Sequence, residues 1–291
     1  MKICENRVVI ITGAGGGLGR AYALAFAAEG AKVVVNDINR EAALVVVGEI
    51  FGQSGSAVAN SNDITRYDDA ALIVRHAIET FGGLDVVVNN AGICRDRMFA
   101  SLTEADWDAV VAVHLKGHFC IASHAARYWR EQAKGGAQLS ARIINTSSGA
   151  GLQGSIGQSN YAAAKAGIAA LTLVQAAELG RYGITVNALA PAARTGMTEQ
   201  VFADTMKKPE EGFDYFAPEN VAPLVVWLGS QASSAVNGQM FEVEGGKLSI
   251  ADGWRRGPEL DRQGRWAVEE VGQAVEQLMA RAVPAAKVYG S

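Results

Sequence analysis

The sequence predicts an α/β fold, a single doubly wound parallel sheet of about seven strands with helices on both faces. Short runs rich in valine and isoleucine are apolar throughout, which is typical of strands covered by helices on both sides. Longer segments of helical period separate these runs, as in successive β-α-β units. With 291 residues, 49% of them hydrophobic, the chain can bury a large core.

The predicted strands and helices alternate along the chain. The early helices are LGRAYALAFAAEG and YDDAALIVRHAIETFG, the second of which ends at the stop signal Gly82-Gly83. Later helices are expected at about 161–182 and near 219–229. The clearest strands are RVVIIT at 7–12, KVVVN at 32–36, DVVVN at 85–89, RIINTS at 142–147, ITVNALA at 184–190 and MFEVEGG at 240–246.

No internal repeat or proline-rich linker divides the chain, so we predict one domain over residues 1–250 and a C-terminal extension over 251–291. The extension is polar and arginine-rich, and it fits a substrate lid, a partner contact or a solvated tail. Residues 194–218 are long for a loop in a compact domain. We expect that segment to be a lid that governs substrate choice.

Composition and charge argue against several classes of protein. The net charge is −4, with Lys and Arg scattered, so no nucleic-acid partner is expected. The N-terminus runs into a strand without the parts of a signal peptide, and no apolar run reaches the roughly 20 residues that span a bilayer. We therefore expect a cytoplasmic protein with no membrane partner. Cys4, Cys94 and Cys120 are too widely spaced to suggest a disulfide framework or a thiolate metal site.

The first strand leads directly into TGAGGGLGR, a glycine-rich turn that opens a helix. Glycines at such a turn let the backbone approach a pyrophosphate, whose charge then lies at the helix N-terminus. Asp37 ends the second strand, where an acidic side chain can bind ribose hydroxyls and repel a 2′-phosphate. This pattern favours NAD over NADP. Asp37 could instead cap the helix that begins near residues 39–41.

A second group, Ser148, Tyr161 and Lys165, has the side chains needed for proton transfer. Residues four apart on a helix share a face, so the Lys165 ammonium would lie beside the Tyr161 phenol and lower its pKa. The phenol could then exchange a proton with an alcohol or carbonyl oxygen while a hydride moves to or from nicotinamide. Ser148 would donate a hydrogen bond to that oxygen. Taken alone, Y-x-x-x-K also fits an ordinary surface pair.

These motifs occur in one order: TGAGGGLG, Asp37, Asp63, NNAG at 89–92, SS at 147–148 and YAAAK at 161–165. Together they resemble the short-chain dehydrogenase/reductase family over about residues 5–246. The resemblance implies a Rossmann-type fold, Ser148 as the substrate-orienting residue, Tyr161 as the acid/base and Lys165 as the group that binds the nicotinamide ribose. It implies that NAD contacts Gly13, Gly17, Leu18, Gly19, Asp37, Asp63, Ile64, Asn90, Ala91, Gly92, Tyr161, Lys165 and Thr195.

A narrower resemblance lies in VVVND at 33–37, RDRMF at 95–99, VHLKG at 113–117 and VAPLVVWL with FEV near 221–243. These segments are similar to the (3R)-hydroxyacyl-CoA dehydrogenase unit of type 2 multifunctional β-oxidation enzymes and to bacterial 17β-hydroxysteroid-dehydrogenase-like proteins. The implied activity is NAD-dependent oxidation of a 3-hydroxyacyl-CoA or related lipid. Alternatives are a hydroxysteroid dehydrogenase, a 3-oxoacyl-carrier-protein reductase, or a dinucleotide-sensing binding protein. A homodimer or homotetramer is also implied, through helices at about 103–133 and 158–182.

His114 and His118 have the i, i+4 spacing of metal ligands, but HLKGH lacks the glutamate of a zincin helix and no third ligand is suggested. We therefore predict no metal, with His118 packed inside the protein or in an interface. By resemblance, His114 takes the position of an asparagine that distorts the helix and exposes a carbonyl to a proton-relaying water. Relay through that carbonyl and relay through the imidazole are both open.

Overall fold

The computed structural model describes residues 2–196, 206–253, 255–284 and 286–290. Within these residues one sheet contains the strands β1 (Val8–Thr12), β2 (Lys32–Asn36), β3 (Ser56–Asn60), β4 (Val86–Asn89), β5 (Ala141–Thr146), β6 (Ile184–Ala192), β7 (Met240–Glu244) and β8 (Lys247–Ile250). The helices are α1 (Gly17–Ala28), α2 (Arg40–Gly52), α3 (Tyr67–Phe81), α4 (Glu104–Val111), α5 (Gly117–Lys134), α6 (Gly149–Gln153), α7 (Ser159–Leu179), α8 (Ala222–Gly229) and α9 (Val268–Arg281).

The strand order is β3-β2-β1-β4-β5-β6-β7-β8, and every neighbouring pair is parallel except β7 and β8. The predicted α/β fold, with one doubly wound sheet, is confirmed. The sheet has one strand more than the predicted number of about seven. The additional strand β8 has only four residues, KLSI, all of them exposed, so it lacks the continuous apolar run of the buried strands.

Alternate residues of the central strands β1, β2, β4 and β5 enter two separate cores. On β1, Val9 and Ile11 pack on one face of the sheet, while Val8 and Ile10 pack on the other. The first core includes side chains from α1, α2 and α8, and the second includes side chains from α3, α5 and α7. Burial on both faces explains why the strands are nearly continuous apolar runs in the sequence.

Helix α7 bears on the expectation that no segment of the chain is apolar enough to span a bilayer. The segment Ser159–Tyr182 is long enough and, at a hydropathy of 1.2, apolar enough to cross a membrane. The sequence analysis considered uninterrupted apolar runs and did not identify this segment, in which alanines keep the mean hydropathy high between polar residues. Length and composition alone are weak evidence for a span. Packed helices of folded proteins meet the same criterion, and α7 buries Lys165, Ile168 and Thr172.

The direction of chain winding reverses at β1, which lies between β2 and β4. In open α/β sheets, ligands bind in the crevice beyond the carboxyl ends of the strands at such a reversal. Four segments that the sequence singles out follow β1, β4, β5 and β6, so all four lie at this edge. They are the glycine-rich turn, the segment after Asn89, the Ser147-Ser148 pair and the residues up to Thr195.

Candidate active site

A cavity of about 710 Å³ lies at the carboxyl edge of the sheet. It combines most of the residues that the sequence assigns to a cofactor and to proton transfer. Those in its lining are Gly13, Gly17, Leu18, Asp37, Asn90, Ala91, Gly92, His114, Ser148, Tyr161, Lys165 and Thr195. A second cavity of about 780 Å³, between α8 and the β7–β8 hairpin, contains none of the predicted site residues.

The glycine-rich turn is packed too closely for side chains. Gly13 has a φ of +62°, and a Cβ atom there would lie 2.7 Å from the Cα atom of Ala91. A Cβ atom on Gly19 would lie 2.1 Å from the carbonyl oxygen of Gly13. The turn therefore exposes bare backbone to the cavity at the start of α1, where free amide groups and the helix dipole favour a negative charge. This geometry fits the pyrophosphate of a dinucleotide.

Asn90 and Thr12 hold the turn against β4. The Asn90 side-chain amide donates to the carbonyl oxygens of Thr12 at 3.0 Å and Gly13 at 3.2 Å. The Thr12 hydroxyl accepts the backbone N–H groups of Asn90 at 3.0 Å and Ala91 at 3.1 Å. Thr12 is thus a supporting residue that the sequence analysis missed, because a threonine that ends a strand gives no separate signal.

Asp37 links the glycine-rich turn to the start of α2. One carboxylate oxygen accepts the Gly15 N–H at 2.9 Å, and the other accepts the Asn39 N–H at 2.9 Å. The cap of α2 is Asn39, whose side chain accepts the Ala42 N–H, so the alternative of Asp37 as the capping residue is wrong. A carboxylate has about four acceptor positions, which leaves Asp37 able to accept further hydrogen bonds in the cavity.

Three predicted cofactor residues lie outside the cavity lining, namely Gly19 in the glycine-rich turn and the pair Asp63 and Ile64. One Asp63 carboxylate oxygen accepts the Thr65 N–H at 2.8 Å in a local turn after β3. Ile64 is buried, and its Cδ1 atom would lie 2.7 Å from a Cβ atom on Gly117. The assignment of Asp63 and Ile64 to the adenine stays a prediction. On the opposite side of the turn, a Cβ atom on Gly17 would lie 3.3 Å from the Thr195 methyl group.

Ser148, Tyr161 and Lys165 line the same cavity. Ser148 follows β5 and caps α6, and its hydroxyl accepts the Ala150 N–H at 3.2 Å. Tyr161 and Lys165 lie one turn apart on α7, with the lysine Nζ atom 5.4 Å from the centre of the tyrosine ring. The Lys165 ammonium is buried and donates to the carbonyl oxygen of Thr146 at 2.6 Å.

The electrostatics of this group differ from the sequence prediction. Burial raises the pKa of Tyr161 to about 12, although its hydrogen bond with Ser148 acts in the opposite direction. Burial also lowers the pKa of Lys165 to about 7. The expectation that the lysine lowers the pKa of the phenol is therefore wrong for the protein by itself. Loss of hydration dominates the pKa of the phenol, and the neighbouring amine is itself close to neutral at physiological pH.

The long helix before β5 is interrupted at the predicted place by a π-helical turn over Ala112–Lys116. His114 lies in this turn, with Nε2 at 2.8 Å from the oxygen and 3.0 Å from the nitrogen of Ile93. Its ring meets the Tyr161 ring edge-on at 5.0 Å between centroids. Burial lowers the pKa of His114 to about 3, so the imidazole is neutral at physiological pH.

His118 is buried four residues further along, and its Nε2 atom accepts the Thr146 N–H at 3.3 Å. Burial holds the pKa of His118 well below its ordinary value. The prediction that this histidine packs inside the protein is confirmed. In the described part of the chain, no group of three or more His, Cys, Asp or Glu side chains is placed to hold a metal ion.

The predicted lid at 194–218 lies partly outside the described residues, since 197–205 are not described. The ends of this segment are joined by backbone and ionic contacts. The Arg194 N–H donates to the Phe216 carbonyl at 2.7 Å, and the Arg194 guanidinium pairs with Asp214. Met206 and Phe216 line the cavity. The role of this segment as a lid stays a prediction.

Several cavity residues were missed by the sequence analysis. Gln158 donates to Asp96 at 2.8 Å, and Cys94 lies two residues after the NNAG segment. Glu244 ends β7. Tyr289 reaches the cavity from the far end of the chain. No nucleotide-binding or proton-transfer motif includes these four positions, which loops, the end of β7 and the C-terminal tail bring together only in the folded protein.

Comparisons with known proteins agree with this geometry. Residues 7–206 match the family model described as short chain dehydrogenase. The chain is 47% identical over 253 residues to the hydroxyacyl-CoA dehydrogenase ChsB1 of Mycobacterium tuberculosis, covering 84% of this chain and 80% of that protein. It is 44% identical over 251 residues to the peroxisomal multifunctional enzyme type 2 of Mus musculus, covering 83% of this chain but only 32% of that enzyme.

Among solved structures, the crystal structure of a short chain dehydrogenase from Mycobacterium avium covers 99% of this chain, and this chain covers all of it. The two sequences are 57% identical, and the TM-score is 0.92. The similarity therefore includes the C-terminal extension as well as the sheet.

Proposed function

Because this chain belongs to the short-chain dehydrogenase family of oxidoreductases, we propose that it is an NAD-dependent enzyme that interconverts a secondary alcohol and a ketone. The observation that supports this most directly is the single cavity that joins a bare glycine turn to Ser148, Tyr161 and Lys165. The first part suits a dinucleotide, and the second suits proton transfer. A dinucleotide-sensing protein would need only the first part, so the complete set favours an enzyme.

The cofactor would be held by the backbone of the glycine turn, by Asp37 at the adenosine ribose and by Lys165 at the nicotinamide ribose. When bound, nicotinamide supplies the acceptor or donor of a hydride. In the oxidation direction the Tyr161 phenolate takes the proton of the substrate hydroxyl, and Ser148 donates a hydrogen bond to the same oxygen. Because burial raises the pKa of Tyr161, the phenol is protonated at neutral pH and suited to donate a proton to a ketone.

The preference for NAD is proposed on the position of Asp37. Its carboxylate lines the cavity and is fixed by N–H groups of Gly15 and Asn39. A fixed negative charge accepts hydrogen bonds from ribose hydroxyls and repels the additional phosphate of NADP. Rates with NAD and NADP at equal concentration test this proposal directly. An equal or higher rate with NADP would overturn it.

We propose a 3-hydroxyacyl-CoA as the substrate class, supported by the name of the M. tuberculosis relative, which this chain matches over 80% of that protein's length. The test is NADH formation with a panel of 3-hydroxyacyl-CoA, hydroxysteroid and 3-hydroxyacyl-carrier-protein substrates. We expect the highest kcat/KM with the CoA esters. A higher value with the steroids or the carrier-linked substrates would replace the CoA proposal with the corresponding alternative.

The proton-transfer roles are tested separately with Tyr161→Phe. This change removes only the hydroxyl, and we expect kcat to fall by a factor of at least about 100, the usual contribution of a general acid or base. Binding of NADH, followed by its fluorescence, should be retained. Normal turnover by Tyr161→Phe would refute the proposed chemistry whichever alcohol is the substrate.

We further propose a homodimer or homotetramer assembled through α5 and α7. Both helices carry large apolar side chains that are about half exposed in the single chain, at 48% for Phe119, 58% for Leu173 and 52% for Val174. Apolar surface of this kind is often covered by a partner subunit. Light scattering on the purified protein measures the oligomeric state, and a monomeric mass would contradict the proposal.

A further inference from the structure

The C-terminal extension returns to the active-site cavity at its far end. The Tyr289 N–H donates to the Gly154 carbonyl at 3.2 Å, and the Tyr289 carbonyl accepts the Ile156 N–H at 2.9 Å. These two bonds form a short parallel β-bridge between Ser155 and Tyr289. The loop that receives the tail follows α6, the short helix that Ser148 caps, so the tail is attached close to the candidate active site.

Two glycines, Gly149 in α6 and Gly154 in the loop after it, lie where the tail packs. A Cβ atom on Gly149 would lie 2.7 Å from the hydroxyl oxygen of Tyr289 and 3.0 Å from its ring. A Cβ atom on Gly154 would lie 3.4 Å from a methyl group of Val288. The tyrosine ring therefore lies directly over the backbone of the residue that follows Ser148, in a place that a larger residue at 149 would occupy.

Tyr289 faces the cavity without being enclosed by protein. It lines the same cavity as Ser148 and Tyr161, and 47% of its surface is exposed. Burial raises the pKa of its phenol, and the charges of Glu242 and Glu244 raise it further. The hydroxyl therefore stays protonated at physiological pH and can donate a hydrogen bond. A half-exposed aromatic ring with a polar tip is well suited to contact a ligand.

We propose that Tyr289 is a substrate-contacting, specificity-determining residue, which the C-terminal extension brings into the active site of its own chain. The ring narrows the cavity beside Ser148 and so favours substrates with a linear substituent at the reacting carbon over substrates with a bulky one. This inference rests on the proposed dehydrogenase function. Of the three roles that the sequence left open for the tail, the proposal selects that of a substrate lid.

The experiment compares Tyr289→Ala and Tyr289→Phe with the wild type on a linear and a branched secondary alcohol of the same class. For Tyr289→Ala, we expect the linear-to-branched ratio of kcat/KM to fall by about tenfold, the lower end of what one hydrophobic contact discriminates. Tyr289→Phe keeps the ring, so it should keep most of the ratio. The KM for NAD should not change in either variant. Val283→Ala, at an exposed tail position, is the matched control and should behave as the wild type.

Two further measurements separate failure of this inference from failure of the proposed function. Dissociation constants of linear and branched ketones, measured by calorimetry, give the same selectivity ratio without turnover. Hydrogen exchange at the Ile156 amide reports whether the tail is docked. We expect this amide to be protected in the wild type and less protected in Tyr289→Ala. A ratio that changes less than twofold in Tyr289→Ala, or an unprotected Ile156 amide in the wild type, would overturn the inference.

Discussion

Replacing Lys165 with methionine should stabilise the protein while abolishing its proposed activity. The Lys165 amine is buried, and its pKa falls to about 7 from an ordinary value of 10.5. Among the described residues no carboxylate forms a salt bridge with Lys165, and its Nζ atom donates a hydrogen bond to the Thr146 carbonyl. Burying this amine lowers the free energy of unfolding at neutral pH, a cost that proteins commonly accept at residues needed for activity.

The size of the effect depends on pH. Because the pKa is lower in the folded protein, the unfolded chain binds more protons between pH 7 and 10.5, and stability rises with pH across that window. Linkage gives a gain of about 2 kcal/mol for the wild type between pH 6.5 and 8.5 from this group. Methionine cannot titrate, so Lys165→Met should lack this gain. Its stability advantage over the wild type should therefore shrink by about 2 kcal/mol across the same interval.

Urea unfolding of the protein without nucleotide, followed by tryptophan fluorescence from pH 6.5 to 8.5, measures these differences. Effects such as the lost hydrogen bond to Thr146 are constant with pH, so they change the offset between the two proteins but not its slope. Lys134→Met, at an exposed lysine at the end of α5, is the matched control and should give a pH-independent offset. A constant offset for Lys165→Met as well would show that the buried amine does not titrate with a lowered pKa.

Three other predictions follow from the site. Asp37→Ser should shift the ratio of kcat/KM for NADP over NAD upwards by about tenfold or more, equivalent to about 1.4 kcal/mol of removed repulsion; an unchanged ratio would contradict the role of the carboxylate. Alcohol oxidation should accelerate by up to about tenfold per pH unit between pH 7 and 9, because the fraction of deprotonated Tyr161 grows with pH below its raised pKa; a flat profile with rate-limiting chemistry would argue against Tyr161 as the base. His114→Asn should keep activity within about tenfold in steady-state assays, since an imidazole with a pKa of about 3 is a poor proton carrier at neutral pH; a larger loss with an unchanged unfolding transition would favour relay through the imidazole.

His114 illustrates how a pattern can mislead until its neighbours are known. Its spacing from His118 resembles a metal-binding pair, but in the structure the two imidazoles bind different backbone segments, at Ile93 and Thr146. A Cβ atom on Gly92 would lie 2.3 Å from the His114 ring, so the histidine packs in this position only against a glycine at residue 92. The i, i+4 rule describes position along one helix and contains no information about what packs against it.

The strands, their parallel arrangement and the glycine turn could be read from the sequence because they depend on local patterns. A strand covered on both faces is apolar at every position, and a turn without room for a Cβ atom requires glycine. The Y-x-x-x-K spacing likewise places two side chains on one helical face wherever that helix lies. These features follow from backbone geometry and short-range sterics, so a single sequence determines them.

Only the tertiary structure decided the pKa values in the site and the contribution of the C-terminal tail to its lining. The pKa values of Tyr161 and Lys165 depend on how completely the folded protein removes water from them, and the sequence pattern predicted the wrong direction for the phenol. Tyr289 reaches the cavity because a polar extension folds back onto the loop after α6 through two backbone hydrogen bonds. Backbone pairing between distant segments leaves little trace in the side-chain pattern, so this contact could not be anticipated from the sequence.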